Sequence, residues 1–233
     1  MRRSLVLGSL VVLIGPGCRP PERHEPAPLP PSRPVAVSEV MHAHFGAIRD
    51  IHRALVVDDL ETAKARAREV ARMPDTTGSS EWDRSARFLR GQAVRLASAP
   101  DANRARSLAT EMATFCADCH MFRAEPSVFR SPPAPADDGS PRAAMARHAW
   151  GAERMWLGVI APSTDLWRDG MRELASAPRV TVHGGREREV AILNARLEAL
   201  ATGTNLLGGQ GDRARRLAEV LDVCADCHAI TRP

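Results

Sequence analysis

The residues most able to do chemistry form two copies of the pentapeptide Cys-Ala-Asp-Cys-His, at 116–120 and 224–228. Thiols three residues apart lie one helical turn apart, so they can form thioethers with the two vinyl groups of one porphyrin. The adjacent His can then bind the iron as its proximal ligand. The spacing therefore predicts two covalently attached haems c. Their thioethers and proximal imidazoles would come from six residues: Cys116, Cys119, His120, Cys224, Cys227 and His228.

Three other uses of cysteine pairs explain less of the sequence. A zinc ribbon has short knuckles at compact spacing, whereas these two pairs are far apart and lie in helical patterns. A thioredoxin-like redox motif needs a βαβ context, which the sequence lacks. Structural disulfides stay open as an alternative, because an exported protein can form them.

The pattern around the motifs is helical. Hydrophobic residues make up 44% of the chain, Ala, Leu, Arg and Glu recur densely, and long runs of Val, Ile and Thr are missing. An all-α fold is therefore predicted. We expect eight helices that begin at caps or breakers: at Ser38, at Asp58 or Asp59, at Ser79 or Ser80, at Asp101, at Ser140-Pro141, at Ser163, near Arg186 and at Asp212.

The two halves of the chain match each other at both ends. Met41-x-x-His44 matches Met145-x-x-His148 at an offset of 104 residues, and the two cysteine motifs match at an offset of 108. Two tandem four-helix bundles, each with the motif at the end of its last helix, are the simplest architecture. The predicted division is a signal peptide (1–18), a Pro-rich linker (19–37), a first haem bundle (38–123), a linker (124–139) and a second haem bundle (140–233).

The amino terminus has the composition of an export signal. Arg2 and Arg3 precede an apolar stretch from Leu5 to Ile14 that is too short to span a bilayer as an ordinary helix. Cys18 follows in the position of a lipidated residue of a bacterial lipoprotein. We therefore expect a periplasmic protein with exported electron donors and acceptors as partners, attached to a membrane if Cys18 is lipidated or the signal stays uncleaved.

The formal charge of +4 does not indicate a nucleic-acid partner. Lys64 is the only lysine, and the arginines alternate with Asp and Glu along the predicted helices. This arrangement is typical of solvated helix faces with i,i+4 partners. No recognisable binding motif accompanies the charge, so a nucleic-acid function is not expected.

The position of the second motif restricts the sixth iron ligand. Only Ala229 to Pro233 follow it, so a ligand on the distal face must come from upstream or from the other half. Met41 and His44 share one face of the first helix at i,i+3, as do Met145 and His148 in the second half. Either residue type can bind haem iron.

A haem motif on the last helix of a four-helix unit resembles cytochrome c′ and its class II relatives. Met41-x-x-His44-Phe45-Gly46 and Trp82-x5-Phe88 are similar to first-helix and third-helix motifs of that family. The resemblance implies a haem wedged between helices, with Trp82 and Phe88 lining its pocket. It also implies that the iron is either five-coordinate or bound by a first-helix Met, here Met41 and Met145. His44 and His148 are the alternative distal ligands.

These residues predict an electron carrier. Two haems in one chain would form a two-electron store or a short relay for single electrons. One alternative is a gas-binding protein whose open iron takes nitric oxide or carbon monoxide. Another is a di-haem peroxidase, although those enzymes have the amino-terminal style of haem motif. No catalytic triad, phosphate-binding loop or carboxylate pair stands out, so no catalytic residue is assigned.

Overall fold

All regular secondary structure in the described part of the chain is α-helical, so the all-α prediction is confirmed. The structure, a computed structural model, describes residues 37–73, 80–123, 129, 132–182, 184–203 and 208–231. Eight helices lie within these ranges: α1 (Val37–Val56), α2 (Leu60–Arg72), α3 (Ser80–Ala97), α4 (Ala102–Arg123), α5 (Pro141–Ile160), α6 (Thr164–Ser176), α7 (Glu187–Thr202) and α8 (Gln210–Thr231).

Local side-chain chemistry explains where several helices begin. The Asp59 carboxylate accepts a hydrogen bond from Thr62 N at 3.0 Å, and the Asp101 carboxylate accepts one from Arg104 N at 2.7 Å. The Ser140 hydroxyl caps α5 in the same way, with Pro141 at the first helical position. Each cap satisfies an amide that has no partner within its own helix. The predicted starts of α2, α4 and α5 are therefore confirmed.

The predicted cap of the last helix is wrong by three residues, because Gly209 and not Asp212 precedes the first helical residue. Helix α8 begins at Gln210, so Asp212 lies inside its first turn instead of capping it. The Asp212 carboxylate accepts a hydrogen bond from Gly209 N at 3.1 Å. This is the reach-back bond of a capping box, in which an acidic side chain three residues into the helix satisfies the amide of the capping residue.

The helices pack in two similar series. In the first half (α1–α4), each helix contacts the next in chain order, and α4 returns to contact α1. In the second half (α5–α8), the same order recurs, and α8 returns to contact α5. Helices α5 and α6 approach each other closely at Gly170, where a Cβ would lie 2.5 Å from Gly151 O. Only glycine fits there, because two of the three nearest atoms, Gly151 O and Met155 N, belong to the backbone.

The two halves share one hydrophobic core. Helix α4 packs against both α5 and α8, and α1 also contacts α8. Buried apolar residues of both halves, among them Ile51, Leu108, Trp156 and Leu217, belong to a single cluster. The segment that carries the second motif is thus covered partly by the first half.

The segment between the halves lies against the first helix of each half where the structure describes it. The Phe129 ring packs on Phe45 of α1, with centroids 5.3 Å apart, and Trp150 Nε1 of α5 donates to Pro132 O at 2.9 Å. The predicted signal peptide, Cys18 and almost all of the Pro-rich linker lie outside the described residues. Among the residues that are described, no helix has the length and apolarity needed to cross a membrane.

Candidate haem site

The two motifs occupy matching places on matching helices. Residues 116–120 lie near the carboxyl end of α4, which ends at Arg123, and residues 224–228 lie near the carboxyl end of α8, which ends at Thr231. In each motif the helix is continuous, so both thiols and the following imidazole project from successive turns of one rigid element.

In the second half, five of the predicted site residues line one cavity. Helix α5 contributes Met145 and His148, and α8 contributes Cys224, Cys227 and His228. The rest of the lining is mostly apolar and comes from four helices: Val56 of α1, Ala149 of α5, Leu193, Asn194 and Leu197 of α7, and Val223 of α8. The cavity volume is about 40 Å³. That is space for a water molecule, so the helices that line the cavity would have to move apart before a porphyrin could enter.

One edge of this cavity is supported by the segment between α6 and α7, which contains Val180. The Asn194 side chain donates to Val180 O at 2.8 Å and accepts from Val180 N at 3.3 Å. Val180 then packs in a small buried cluster with Ala144 and Val190, against which Met145 and Cys227 also pack. The thioether of Met145 therefore already has apolar neighbours in this structure.

In the first half, the structure describes most of the matching residues. His44 of α1 is buried, Met41 is half-buried, and α1 contacts α4, which carries Cys116, Cys119 and His120. The Nε2 atom of His44 is buried and has no hydrogen-bond partner among the described residues. An imidazole nitrogen in that state calls for an explanation, because burial without a partner is costly.

Of the predicted aromatic pair Trp82 and Phe88, the structure describes the side chain of Phe88. Phe88 is 58% exposed, and its ring stacks on Phe115, the residue before Cys116, with centroids 5.8 Å apart. Phe88 therefore lies beside the first motif, although much of its ring faces solvent. The side chain of Trp82 lies outside the described residues.

The motif cysteines are thiols and not disulfides in this structure. Burial, together with the neighbouring Cys119, raises the pKa of Cys116 to about 12. Burial and the neighbouring Cys227 raise the pKa of Cys224 to about 12, although the charge of Arg106 opposes the rise. Burial also raises the pKa of Cys227. The sulfurs are thus neutral at physiological pH, which suits an apolar pocket better than a reactive thiolate.

Burial also keeps the candidate distal imidazoles neutral. It lowers the pKa of His44, and the charge of Arg90 lowers it further. It lowers the pKa of His148 too, where Glu173 opposes the shift and Arg147 adds to it. A neutral imidazole has the lone pair that a metal bond requires.

A buried arginine joins the two halves close to the second motif. Arg106 of α4 is 4% exposed, and its guanidinium donates to Asp222 Oδ1 of α8 at 2.5 Å and to Asp58 Oδ1 at 3.0 Å. It also donates to Asn103 Oδ1 at 2.5 Å. Because Asp222 is two residues before Cys224, a charge from the first half lies beside the second site.

The residues present fit a haem by their chemistry. The second cavity has two neutral thiols one turn apart, an imidazole next to them on α8, and an imidazole and a thioether facing them from α5. The rest of its lining is apolar except for Asn194, as suits a porphyrin. Among the described residues, no group of three or more His, Cys, Asp or Glu side chains is arranged to hold a bare metal ion.

Several residues around the site were not identified from the sequence. Val56, Leu193, Leu197 and Arg106 reach the second site only through packing between helices. Asn194 had a weak local signal, as an amide within an otherwise apolar face of α7. For the other four residues, the sequence of the helix itself gives no sign that they lie near the site: Val56, Leu193, Leu197 and Arg106.

Comparison with protein-family models, with curated proteins and with solved structures gave no match to this chain.

Proposed function

We propose that this chain is an exported di-haem c-type cytochrome that transfers single electrons between redox partners. The observation that carries the proposal is the second cavity, in which the thiols of Cys224 and Cys227 and the imidazole of His228 lie together with His148 and Met145. These residue types are the ones that attach and ligate haem c.

The same interpretation extends to the first half. Cys116, Cys119 and His120 have the same order and the same place near the end of α4, and α4 packs on α1 as α8 packs on α5. We therefore interpret each half as a four-helix bundle that holds one haem, and the chain as a tandem relative of the class II cytochromes c. The closed order of helix contacts in each half supports this interpretation.

Each cysteine and each histidine of the motif has one role in this proposal. Each cysteine thiol adds across a vinyl group: its S–H bond breaks, a C–S bond forms, and the hydrogen goes to the other vinyl carbon. The imidazoles of His120 and His228 bind iron. A bound haem supplies a one-electron couple between ferric and ferrous iron. The donor protein loses one electron and the acceptor gains one, and no atom has to be transferred.

The chain itself would tune this couple. Apolar walls lower the local dielectric, and the guanidinium of Arg106 places positive charge near the second site. Contacts with partner proteins would be small and transient, because electron-transfer encounters use interfaces at the low end of the size range. The periplasm, with Cys18 as the candidate lipidation site, is the proposed location.

The test is haem stoichiometry in the full chain, produced in a host that attaches haem c. Pyridine haemochrome analysis should give two haems c per chain. The pair Cys116→Ser and Cys119→Ser should leave one haem, and the pair Cys224→Ser and Cys227→Ser should leave the other. Cys18→Ala is the matched control, because it changes a cysteine outside both motifs and should leave two. A colourless wild-type protein, or one that holds zinc, would refute the proposal.

A further inference from the structure

We propose that His44 and His148, and not Met41 and Met145, are the distal ligands of the two irons, so that each iron is held between two imidazoles. This inference rests on the proposed function, and it goes further because it decides between the two residue types on the first helix of each half. It also predicts that neither iron has an open position for a gas.

The state of His44 is the first argument. The residue is 5% exposed, and its Nε2 atom is buried without a hydrogen-bond partner among the described residues. Leaving a buried polar atom without a partner destabilises the folded state, so such atoms are uncommon in folded proteins. A bond to iron would satisfy this nitrogen.

The position of His148 is the second argument. It matches His44 in the alignment of the two halves, it is 8% exposed, and it lines the cavity that also contains both thiols of the second motif and His228. His148 and His228 thus line one cavity from two different helices, as the two imidazole ligands of one iron would.

The surroundings of the methionines are the third argument. Met145 packs with Cys227 against the cluster of Ala144, Val180 and Val190, where a thioether needs no polar partner. Met41 is half-buried, whereas His44 on the same helix is buried. The Met145 thioether thus has a packing role, whereas the buried Nε2 atom of His44 has no hydrogen-bond partner among the described residues.

The chemical consequence is that neither iron has an open coordination position. With an imidazole on each face, carbon monoxide or nitric oxide could bind only after a protein ligand leaves. An electron carrier benefits from this arrangement, since its coordination stays the same in both oxidation states. The gas-binding alternative requires the opposite.

The experiment compares matched variants of the haem-loaded full chain by visible and electron paramagnetic resonance spectroscopy. The wild type should be fully low-spin, should lack the far-red band of an iron–thioether bond, and should not react at once with carbon monoxide when reduced. His148→Ala and His44→Ala should each make one of the two haems high-spin and reactive with carbon monoxide. Met145→Leu and Met41→Leu are the controls, and their spectra should match the wild type.

Each outcome decides between the ligands. If a Met→Leu variant becomes high-spin while the matching His→Ala variant does not, the assignment is wrong for that half. Should a His→Ala variant fail to fold, the wild type still decides, because near-infrared magnetic circular dichroism distinguishes imidazole–imidazole from imidazole–thioether iron. Two covalent haems with an open or Met-bound iron would overturn this inference alone, whereas a chain without covalent haem would overturn the proposed function as well.

Discussion

His52 of α1 and Trp156 of α5 occupy the same position in the alignment of the two halves, and their rings stack on each other with centroids 5.1 Å apart and planes 15° apart. Phe45 also stacks on Trp156, with ring centroids 5.4 Å apart. A contact between matching positions is typical of units related by a two-fold axis, because there a residue meets its own equivalent. The stack therefore joins the first helix of one half to the first helix of the other.

The first prediction concerns Trp156, which is 1% exposed. Trp156→Ala should destabilise the protein by about 3–5 kcal/mol, because it leaves a cavity and removes both ring contacts. The measurement is chemical denaturation of the full chain. Trp150→Ala on the same helix is the control. That residue is half-buried, donates to Pro132 O and lies under Arg154, so its loss should cost about 1–2 kcal/mol. Equal losses of stability in the two variants would contradict a special contribution of the stack.

The second prediction concerns pH. Burial, helped by the charge of Arg53, lowers the pKa of His52 from 6.5 to about 3. Below about pH 6.5 the unfolded chain takes up a proton at His52 while the folded chain does not. Stability should therefore fall by about 1.4 kcal/mol for each pH unit between about pH 6 and about pH 3 through this residue alone.

The measurement is the free energy of unfolding at several pH values in that range, in the wild type and in His52→Phe, which keeps an aromatic ring in the stack. In the variant, the free energy of unfolding should fall less steeply with decreasing pH than in the wild type, by about 1.4 kcal/mol for each pH unit. His42→Phe is the control, since His42 is exposed on the same helix. If the His52→Phe slope equals that of the wild type, His52 titrates normally in the folded state. His44 and His148 contribute to the slope in both proteins and so cancel in the comparison.

The sequence predicted those features that depend on neighbours along the chain. The caps at Asp59, Asp101 and Ser140 are local, since each carboxylate or hydroxyl bonds an amide three residues ahead. The predicted start of α8 was wrong because an Asp side chain can either cap a helix or bond back to the capping residue from the first turn. Only the fold itself distinguishes these two roles of Asp212. The two Cys-Ala-Asp-Cys-His motifs and the Met–His pairs are also recognisable in the sequence, from their spacing.

The remainder of the site depends on packing between distant segments. Val56 belongs to α1 but lines the cavity of the second half, and Arg106 belongs to α4 but binds Asp222 of α8. The residue that matches Arg106 in the second half is Ala214, so the repeat gave no hint of the bridge. Such contacts arise from how α4 docks on α8, which no local pattern specifies.

The third prediction concerns the contact between α5 and α6. A Cβ on Gly170 would lie 2.5 Å from Gly151 O and 2.7 Å from Met155 N, and backbone atoms cannot give way cheaply. Gly170→Ala should destabilise the protein by about 1–3 kcal/mol. Gly91→Ala is the matched control, because Gly91 lies within α3 with nothing within 4 Å of its Cβ position. That change should stabilise by about 0.5–1 kcal/mol, through the better helix propensity of alanine. Thermal denaturation measures both, and a neutral Gly170→Ala would contradict the close packing.

The fourth prediction concerns the bridge between the halves. Arg106→Met keeps the length of the side chain but removes its bonds to Asp58, Asp222 and Asn103. The two carboxylates are about one-third exposed, so water can solvate them, and the expected loss is about 1–3 kcal/mol. Arg53→Met is the control, because its pair with Glu153 is more exposed and should contribute at most about 1 kcal/mol. A double-mutant cycle of Arg106→Met with Asp222→Asn measures the coupling, and additivity would show that the bond contributes nothing.

The last prediction links this bridge to the proposed function. The charge of Arg106 acts on the thiol of Cys224, so it should also act on an iron attached beside that thiol. Positive charge favours the ferrous state, which carries one positive charge fewer than the ferric state. Arg106→Met should therefore lower the reduction potential of one haem and leave the other nearly unchanged. Spectroelectrochemical titration of the loaded chain measures both haems, and Arg53→Met again serves as the control. If both potentials shifted equally, or neither shifted, the bridge would have no specific influence on the second site.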